Sequence, residues 1–145
     1  MIVLASDHAG LDLKRHLVGW LQEHGHQCRD LGPDDGRSVD YPAYAHRLAA
    51  ALLAGDAEAG VLVCGTGLGM SMAANRHAGV RAAVCHDAYT AEMARLHNDA
   101  NVLCLGARVL GTGVAEQVLA VFLATAFEGG RHQRRVDAIE IDLEE

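Results

Sequence analysis

Short apolar runs alternate with helical patterns from the start of the chain to its end. The runs that predict strands lie at 1–5, 26–31, 60–64, 80–85 and 101–105. Between them, apolar residues recur at helical spacing, as in Leu13, Leu17 and Leu21 before Gly25. Strand–helix alternation of this kind predicts an α/β fold, a Rossmann-like three-layer αβα sandwich around a five-stranded parallel sheet.

The remaining helices have recognisable starts and ends. They are predicted from Asp40-Tyr41-Pro42 to Gly55, around 70–76, at 89–96, at 114–127 and from about Arg131. A polar segment rich in Gly and Pro, residues 32–38, predicts an exposed loop. The helix at 114–127 is apolar nearly all round, so its outer face needs cover. We therefore expect a homodimer, with pairing of dimers into a tetramer left open.

Composition narrows the class of protein. A chain of 145 residues predicts one domain, 1–145. Its 12 Lys and Arg against 19 Asp and Glu give a net charge of −7, which disfavours nucleic acid as a partner. No apolar run approaches the roughly 20 residues of a membrane span, and no signal peptide is recognisable. Four separated cysteines without a CxxC pair indicate reduced thiols, so we expect a cytoplasmic protein.

Ligands of such folds bind at the carboxyl ends of the strands. Three polar clusters follow predicted strands or helices: Ser6-Asp7-His8, the segment 64–71, and His97-Asn98-Asp99. We expect His8 and His97 to lie near the Gly-rich segment 64–71. Cys28, Cys85 and Cys104 lie within strand patterns and are expected to be small core residues.

The segment CGTGLGMS carries the strongest chemical signal. Gly65, Gly67 and Gly69 allow the backbone to direct several N–H groups toward one point, where they bind a phosphate or an oxyanion. Cys64 precedes this turn, and the positive end of the following helix favours its thiolate. Alternatively, Cys64 is only the last buried residue of a strand. A dinucleotide fingerprint, a P-loop and a Cys-x5-Arg phosphatase loop are all excluded, because Met70 stands where Gly or Arg is required and GK[ST] is absent.

Basic residues and histidines are the other candidates. Arg131 and Arg135 are four apart, so on one helix they can clamp a phosphate, although a solvated charged face explains them equally. The nine histidines show no known ligand spacing, and we predict no metal site. Four of them lie in patterns typical of exposed residues: His24, His26, His46 and His132.

Five segments in order resemble the ribose-5-phosphate isomerase B family, from residue 2 to about residue 139. They are ASDHAG, DYPAYA, CGTGLGMSMAANRHAGVRAA, LHNDANVLCLGARV and EGGRHQRRV. The resemblance implies interconversion of ribose 5-phosphate and ribulose 5-phosphate through a cis-enediolate, without metal or cofactor. It also implies a site formed between two subunits.

The resemblance assigns roles to individual residues. Cys64 corresponds to the base, and Thr66 with the loop amides corresponds to the group that holds the enediolate oxygen. Some members use a loop glutamate instead, but residues 70–73 contain no carboxylate. Ring opening falls to His97 with Asp7. The positions that match substrate-binding residues are His8, Arg131 and Arg135 for phosphate, Tyr41 and Asn98 for the sugar, and Arg108, Gly65, Gly67, Gly69 and Ser71.

Three other functions remain open at this point. The same chemistry on allose 6-phosphate, galactose 6-phosphate or a tetrulose phosphate differs only in pocket volume. A non-catalytic phosphosugar sensor needs phosphate contacts but no base, and the presence of Cys64, Thr66 and His97 argues against it. A nucleotide-binding module is disfavoured by the missing fingerprints and by an aromatic content of only 4%.

Overall fold

The computed structural model describes residues 1–141 and confirms the predicted fold class. Five parallel strands form one sheet in the order β2-β1-β3-β5-β4. The strands are β1 (Ile2–Ser6), β2 (Cys28–Asp30), β3 (Ala59–Cys64), β4 (Ala82–Val84) and β5 (Val102–Gly106). The helices are α1 (Leu11–Glu23), α2 (Tyr41–Leu53), α3 (Leu68–Ala74), α4 (Ala88–Leu96), α5 (Thr112–Ala124) and α6 (Gln133–Asp137), and a 3₁₀ helix (Gly130–His132) precedes α6.

Alternating side chains divide the core into two layers. In β3, Val61 and Val63 point to the layer that contains α1, α4 and α5, whereas Leu62 and Cys64 point to the layer that contains α2 and α3. All four of these residues are almost completely buried. Since helices cover both faces, the central strands are apolar without interruption, as their sequence pattern predicts.

The two edge strands are shorter than predicted. β2 and β4 each contain three residues, because each pairs with a neighbour on one side only. Cys85 and Cys104 are buried as expected, but Cys28 lies on edge strand β2 and is only half-buried. The expectation that Cys28 is a core residue is therefore wrong.

Helix α5 is covered more completely than its sequence indicates. Its inner face buries Val118, Leu119 and Phe122, and the outer residues Val121 and Leu123 are partly buried against the same core. Only Val114 among its large apolar residues is exposed. Much of this helix is therefore covered by the chain itself, and the homodimer stays a prediction. No helix within residues 1–141 is long and apolar enough to cross a membrane.

An ion pair between a buried lysine and a partly exposed aspartate anchors the loop after β2. Lys14, the single lysine of the chain, is completely buried; its ammonium lies 2.8 Å from Asp30 Oδ1 and donates to the Pro33 carbonyl at 2.7 Å. As a result Gly32 and Pro33 are buried, and only residues 34–38 of the predicted exposed loop face solvent.

Candidate active site

Asp7 and Cys64 lie side by side at the carboxyl edge of the sheet. Ser6 is paired with Val63, and the Asp7 N–H donates to the Val63 carbonyl at 3.1 Å, so the next residues on the two strands are neighbours. The Asp7 carboxylate is buried and accepts from the Gly10 N–H at 2.9 Å. A Cβ at Gly10 would lie 2.4 Å from the Val63 carbonyl oxygen, so only glycine lets α1 begin this close to β3.

The Cys64 sulfur is held by the Gly-rich turn. It accepts a hydrogen bond from the Gly67 N–H at 3.1 Å, and the residue is 5% exposed. Gly67 has φ +81°, in the left-handed region that glycine favours. An N–H directed at the sulfur stabilises negative charge there. Cys64 is thus a buried strand residue and also a thiol beside a charge-stabilising donor.

Tyr41 and Arg108 pack over two glycines of this turn. A Cβ at Gly69 would lie 2.6 Å from Tyr41 Cζ, and one at Gly65 would lie 3.1 Å from Arg108 Nη1. The Arg108 N–H also donates to the Gly65 carbonyl at 3.0 Å. The absence of side chains at these glycines therefore makes room for a phenol and a guanidinium beside Cys64.

Two hydroxyl groups and one imidazole complete this edge. Thr66 Oγ1 accepts from the Leu68 N–H at 3.3 Å, and Ser71 Oγ donates to the Leu68 carbonyl at 2.7 Å. His8 Nδ1 accepts from the Val39 N–H at 3.1 Å. In the neutral ring Nε2 must then carry the hydrogen, which makes His8 a donor to an anion.

His86 is a neighbour that no motif indicated. It is exposed, and its Nε2 lies 3.4 Å from the Thr66 carbonyl oxygen.

We call the group of site residues at the carboxyl edge the thiol half-site; it consists of Asp7, His8, Tyr41, Cys64, Gly65, Thr66, Gly67, Gly69, Ser71 and Arg108.

His97 and Asn98 lie at the opposite edge of the sheet, so the expectation that His97 lies near the Gly-rich turn is wrong. Helix α4 starts beyond β4 and runs back against the strand direction, which brings its end to the amino edge. There Asn101 accepts from the Gly60 N–H, at the beginning of β3. Cys64 is four residues further along β3, a distance of about 13 Å.

The C-terminal segment packs against His97. The Glu128 N–H donates to the Leu96 carbonyl at 3.1 Å, and the His132 ring stacks on the His97 ring with centroids 4.3 Å apart and planes at 15°. His132 is only 7% exposed, which overturns its predicted exposure. Of the other histidines predicted to be exposed, His24 and His46 are exposed and His26 is half-buried.

Arg131 and Arg135 belong to the same region but not to one α-helix. Arg131 lies in the 3₁₀ helix, whereas Arg135 lies in α6. The prediction that four-residue spacing on one α-helix places the two side chains on the same face is therefore wrong. Both side chains are exposed, and the charges of both reach His132. We call this group the histidine half-site; it consists of His97, Asn98, Glu128, Arg131, His132 and Arg135.

A strained turn presents His97 and Asn98. Asp99 has φ +47°, rare for a residue other than glycine, and Arg95 Nη1 lies 2.9 Å from its Oδ1. Arg81 Nε donates to the Asp99 carbonyl at 2.8 Å. The two arginines thus fix the turn from both sides, and Asn98 lines a groove of about 700 Å³ that continues along β4.

Burial controls the protonation of several side chains. It lowers the pKa of His132, and the positive charges of His97 and Arg131 lower it further, while Glu128 opposes them. It raises the pKa of the Cys85 thiol to about 11, and it also raises the pKa of Cys104 and Cys28. These three cysteines therefore stay neutral thiols at physiological pH.

One group of side chains within residues 1–141 has the composition of a metal site. The ligand atoms of His97, Glu128 and His132 all lie within 4.8 Å of one another. However, the lone pair of an imidazole lies in the plane of its ring, and the two planes here are nearly parallel. The two nitrogens cannot both point at one ion about 2.0–2.1 Å away unless a ring rotates. The geometry therefore fits ring stacking better than metal binding.

Comparison with known proteins is consistent over nearly the whole chain. The family model described as "Ribose/Galactose Isomerase" matches residues 2–139. The ribose-5-phosphate isomerase B of Escherichia coli is 45% identical over 95% of this chain and 93% of its own length. A putative sugar phosphate isomerase of Bacillus subtilis is 42% identical over 99% of this chain and 97% of its own.

Solved structures agree with this result. The crystal structure of a ribose 5-phosphate isomerase from Thermotoga maritima has a TM-score of 0.94 and 46% identity, with 95% of each chain covered. The type B ribose 5-phosphate isomerase of Trypanosoma brucei has a TM-score of 0.92 and 43% identity, over 95% of both chains. The chain therefore belongs to the ribose/galactose isomerase family.

Proposed function

We propose that this protein interconverts ribose 5-phosphate and ribulose 5-phosphate. One observation carries the proposal: the Cys64 sulfur accepts the Gly67 N–H at 3.1 Å, at the end of the strand that neighbours Asp7. A base next to backbone amides suits a reaction in which a carbon loses a proton and an oxygen gains charge. The family membership and the named relatives support the same conclusion.

The central step moves one proton between two carbons. The Cys64 thiolate takes the C2 proton of the open-chain aldose, and the C–H electrons form the C1–C2 double bond while charge develops on O1. Thr66 and the loop amides stabilise that charge. Cys64 then returns the proton to C1, and the hydroxyl proton passes from O2 to O1, which gives the ketose. All atoms are balanced, so the step requires no cofactor.

Ring opening precedes proton transfer, because ribose 5-phosphate is mainly a furanose. The anomeric hydroxyl loses its proton, the bond from C1 to the ring oxygen breaks, and that oxygen gains a proton. We assign this acid–base work to His97 with Asp7. The Nε2–H of His8, together with Arg131 and Arg135, suits the phosphate. The remaining contacts with the substrate are assigned to Tyr41, Asn98, Ser71 and Arg108.

This assignment requires two copies of the chain. The thiol and histidine half-sites of one copy lie on opposite edges of the sheet, so one active site combines the thiol half-site of one copy with the histidine half-site of another. A two-fold homodimer creates two such sites. Exposed apolar side chains in and next to the thiol half-site suit an interface: Tyr41, Leu68, Met72 and Val109. Four free thiols suit a cytoplasmic enzyme.

The test is the initial rate of ribose 5-phosphate conversion in EDTA, for the wild type, Cys64→Ala and the control Cys28→Ala. Removal of the base is expected to lower kcat by about 10²- to 10⁴-fold, the range that a positioned acid–base group typically contributes. Cys28, on an edge strand, is expected to tolerate the change. A variant Cys64→Ala that keeps more than a tenth of the activity would contradict the assignment of the base.

A panel of sugar phosphates identifies the substrate. Allose 6-phosphate, galactose 6-phosphate and erythrulose 4-phosphate are assayed beside ribose 5-phosphate. Activity on one of these alone would keep the mechanism and change the substrate. Saturable binding without turnover on any of them would show a phosphosugar sensor and refute the proposal.

A further inference from the structure

The role of His132 goes beyond the machinery assigned above. Its ring is 7% exposed and covers one face of the His97 ring at 4.3 Å. His97 follows the last residue of α4, and its side chain is half-buried. A ring packed flat on one face loses rotational freedom, so the His132 ring limits the orientations of His97.

The nitrogen of His132 is more unusual than its ring. Nε2 is completely buried and has no hydrogen-bond partner within residues 1–141. An unpaired buried polar atom destabilises the folded state, and a phenylalanine at this position would avoid that cost. Such groups are few in native proteins, and a catalytic role is one of the reasons for which they occur. Simple packing therefore does not explain a histidine here.

The carboxylate of Glu128 lies close to this nitrogen. Its Oε2 lies 3.9 Å from His132 Nε2, slightly beyond hydrogen-bond distance. Hydrogen bonds at catalytic groups are often long without substrate and shorten when it binds. Glu128 is exposed and its backbone is tied to the end of α4, so a small side-chain movement closes the gap.

The charge of the stack follows from its surroundings. Two stacked imidazolium rings repel each other, so at most one of the pair carries a proton readily. Burial and the nearby Arg131 and Arg135 lower the pKa of His132 and keep it neutral. A neutral His132 places no second positive charge beside His97, the group that must exchange protons during ring opening.

We propose that His132 is a positioning residue for ring opening: its ring holds His97 flat, and Glu128 anchors that ring through Nε2. The inference rests on the proposed function, since it requires His97 to act on the sugar ring. The inference predicts an effect on kcat and not on phosphate affinity, because neither Arg131 nor Arg135 takes part in the ring stack.

The decisive variant is His132→Phe, which keeps a flat ring and removes both nitrogens. We expect kcat for ribose 5-phosphate to fall at least 10-fold, KM to change less than 3-fold, and the thermal midpoint to stay or rise. Glu128→Gln is expected to lower kcat in the same sense by a smaller factor. The matched control is His24→Phe, an exposed histidine stacked on Trp20 at 4.1 Å, with no expected effect. If His132→Phe does not fold, His132→Asn replaces it.

A double-mutant cycle distinguishes positioning from a general structural role. If His132 acts through His97, the double variant His97→Ala/His132→Phe is no slower than His97→Ala alone. Three results would each overturn the inference. They are a double variant whose loss of kcat equals the product of the two single losses, a His132→Phe effect confined to KM, and a fully active His132→Phe. An active wild type with a fully active His97→Ala would instead refute the ring-opening role of His97 in the proposed function, and the inference with it.

Discussion

Replacing one member of the Lys14–Asp30 pair tests how the fold supports the thiol half-site. The two members differ in exposure: the Lys14 side chain is completely buried, whereas that of Asp30 is 33% exposed and also accepts from the Gly32 N–H at 2.8 Å. Lys14→Met leaves a carboxylate that water and Gly32 can still solvate. Asp30→Asn leaves a fully buried ammonium with only uncharged acceptors, the Pro33 carbonyl among them.

The structure therefore predicts unequal losses of stability. Breaking a buried pair costs about 3–5 kcal/mol when the remaining charge is fully buried, so we expect about 4 kcal/mol for Asp30→Asn. Because Asp30 is partly solvated, Lys14→Met is expected to cost only about 2 kcal/mol. The double variant removes both charges and is expected to be more stable than Asp30→Asn alone.

Urea unfolding of the four proteins at pH 7 measures these free energies. A smaller loss for Asp30→Asn than for Lys14→Met, or strictly additive losses, would refute the reasoning. The pair also affects the site, since the loop that it anchors continues to Val39, the donor to His8. Lys14→Met is accordingly expected to raise KM more than it lowers kcat, because His8 is assigned to the phosphate.

Three further predictions use single substitutions. Gly69→Ala places a Cβ 2.6 Å from the half-exposed Tyr41 ring, so KM is expected to rise about 10-fold. The free energy of unfolding, measured in urea, is expected to change by less than about 1 kcal/mol. Asp99→Gly relieves the strain at φ +47° but removes the carboxylate contacts, and it is expected to lower kcat with little change in thermal midpoint; unchanged kcat would contradict the role of the turn. Because burial lowers the pKa of His132 below its ordinary value of 6.5, the folded state disfavours its protonation. The free energy of unfolding is therefore expected to fall as the pH drops through 6.5 and below. Urea unfolding at several pH values should show a smaller fall for His132→Phe than for the wild type.

The sequence predicted the sheet well where burial is complete. Central strands β1, β3 and β5 have continuous apolar runs, since helices cover both of their faces. Edge strands β2 and β4 were predicted too long, because an apolar run does not show whether a strand has a neighbour on each side. Cys64 and Asp7 were predicted together correctly, since both follow the ends of parallel strands.

The histidine half-site was harder to place. The pattern shows that α4 ends near His97, but a helix between parallel strands runs against them and ends at the amino edge. The alternation of strands and helices thus already implied a distance between His97 and Cys64. The burial of His132 had no local signal, because it lies in a run of charged residues and depends on packing against α4.

The central claim, that each active site combines half-sites from two copies, is tested most directly by complementation. Cys64→Ala and His97→Ala chains are each expected to have very low activity on ribose 5-phosphate. When they are mixed, unfolded and refolded together, half of the dimers are mixed, and each contains one site with both Cys64 and His97. The account predicts recovery of about a quarter of the wild-type activity. If the mixture stays as inactive as its components while both variants fold and pair, Cys64 and His97 do not act in one shared site, and the account is wrong.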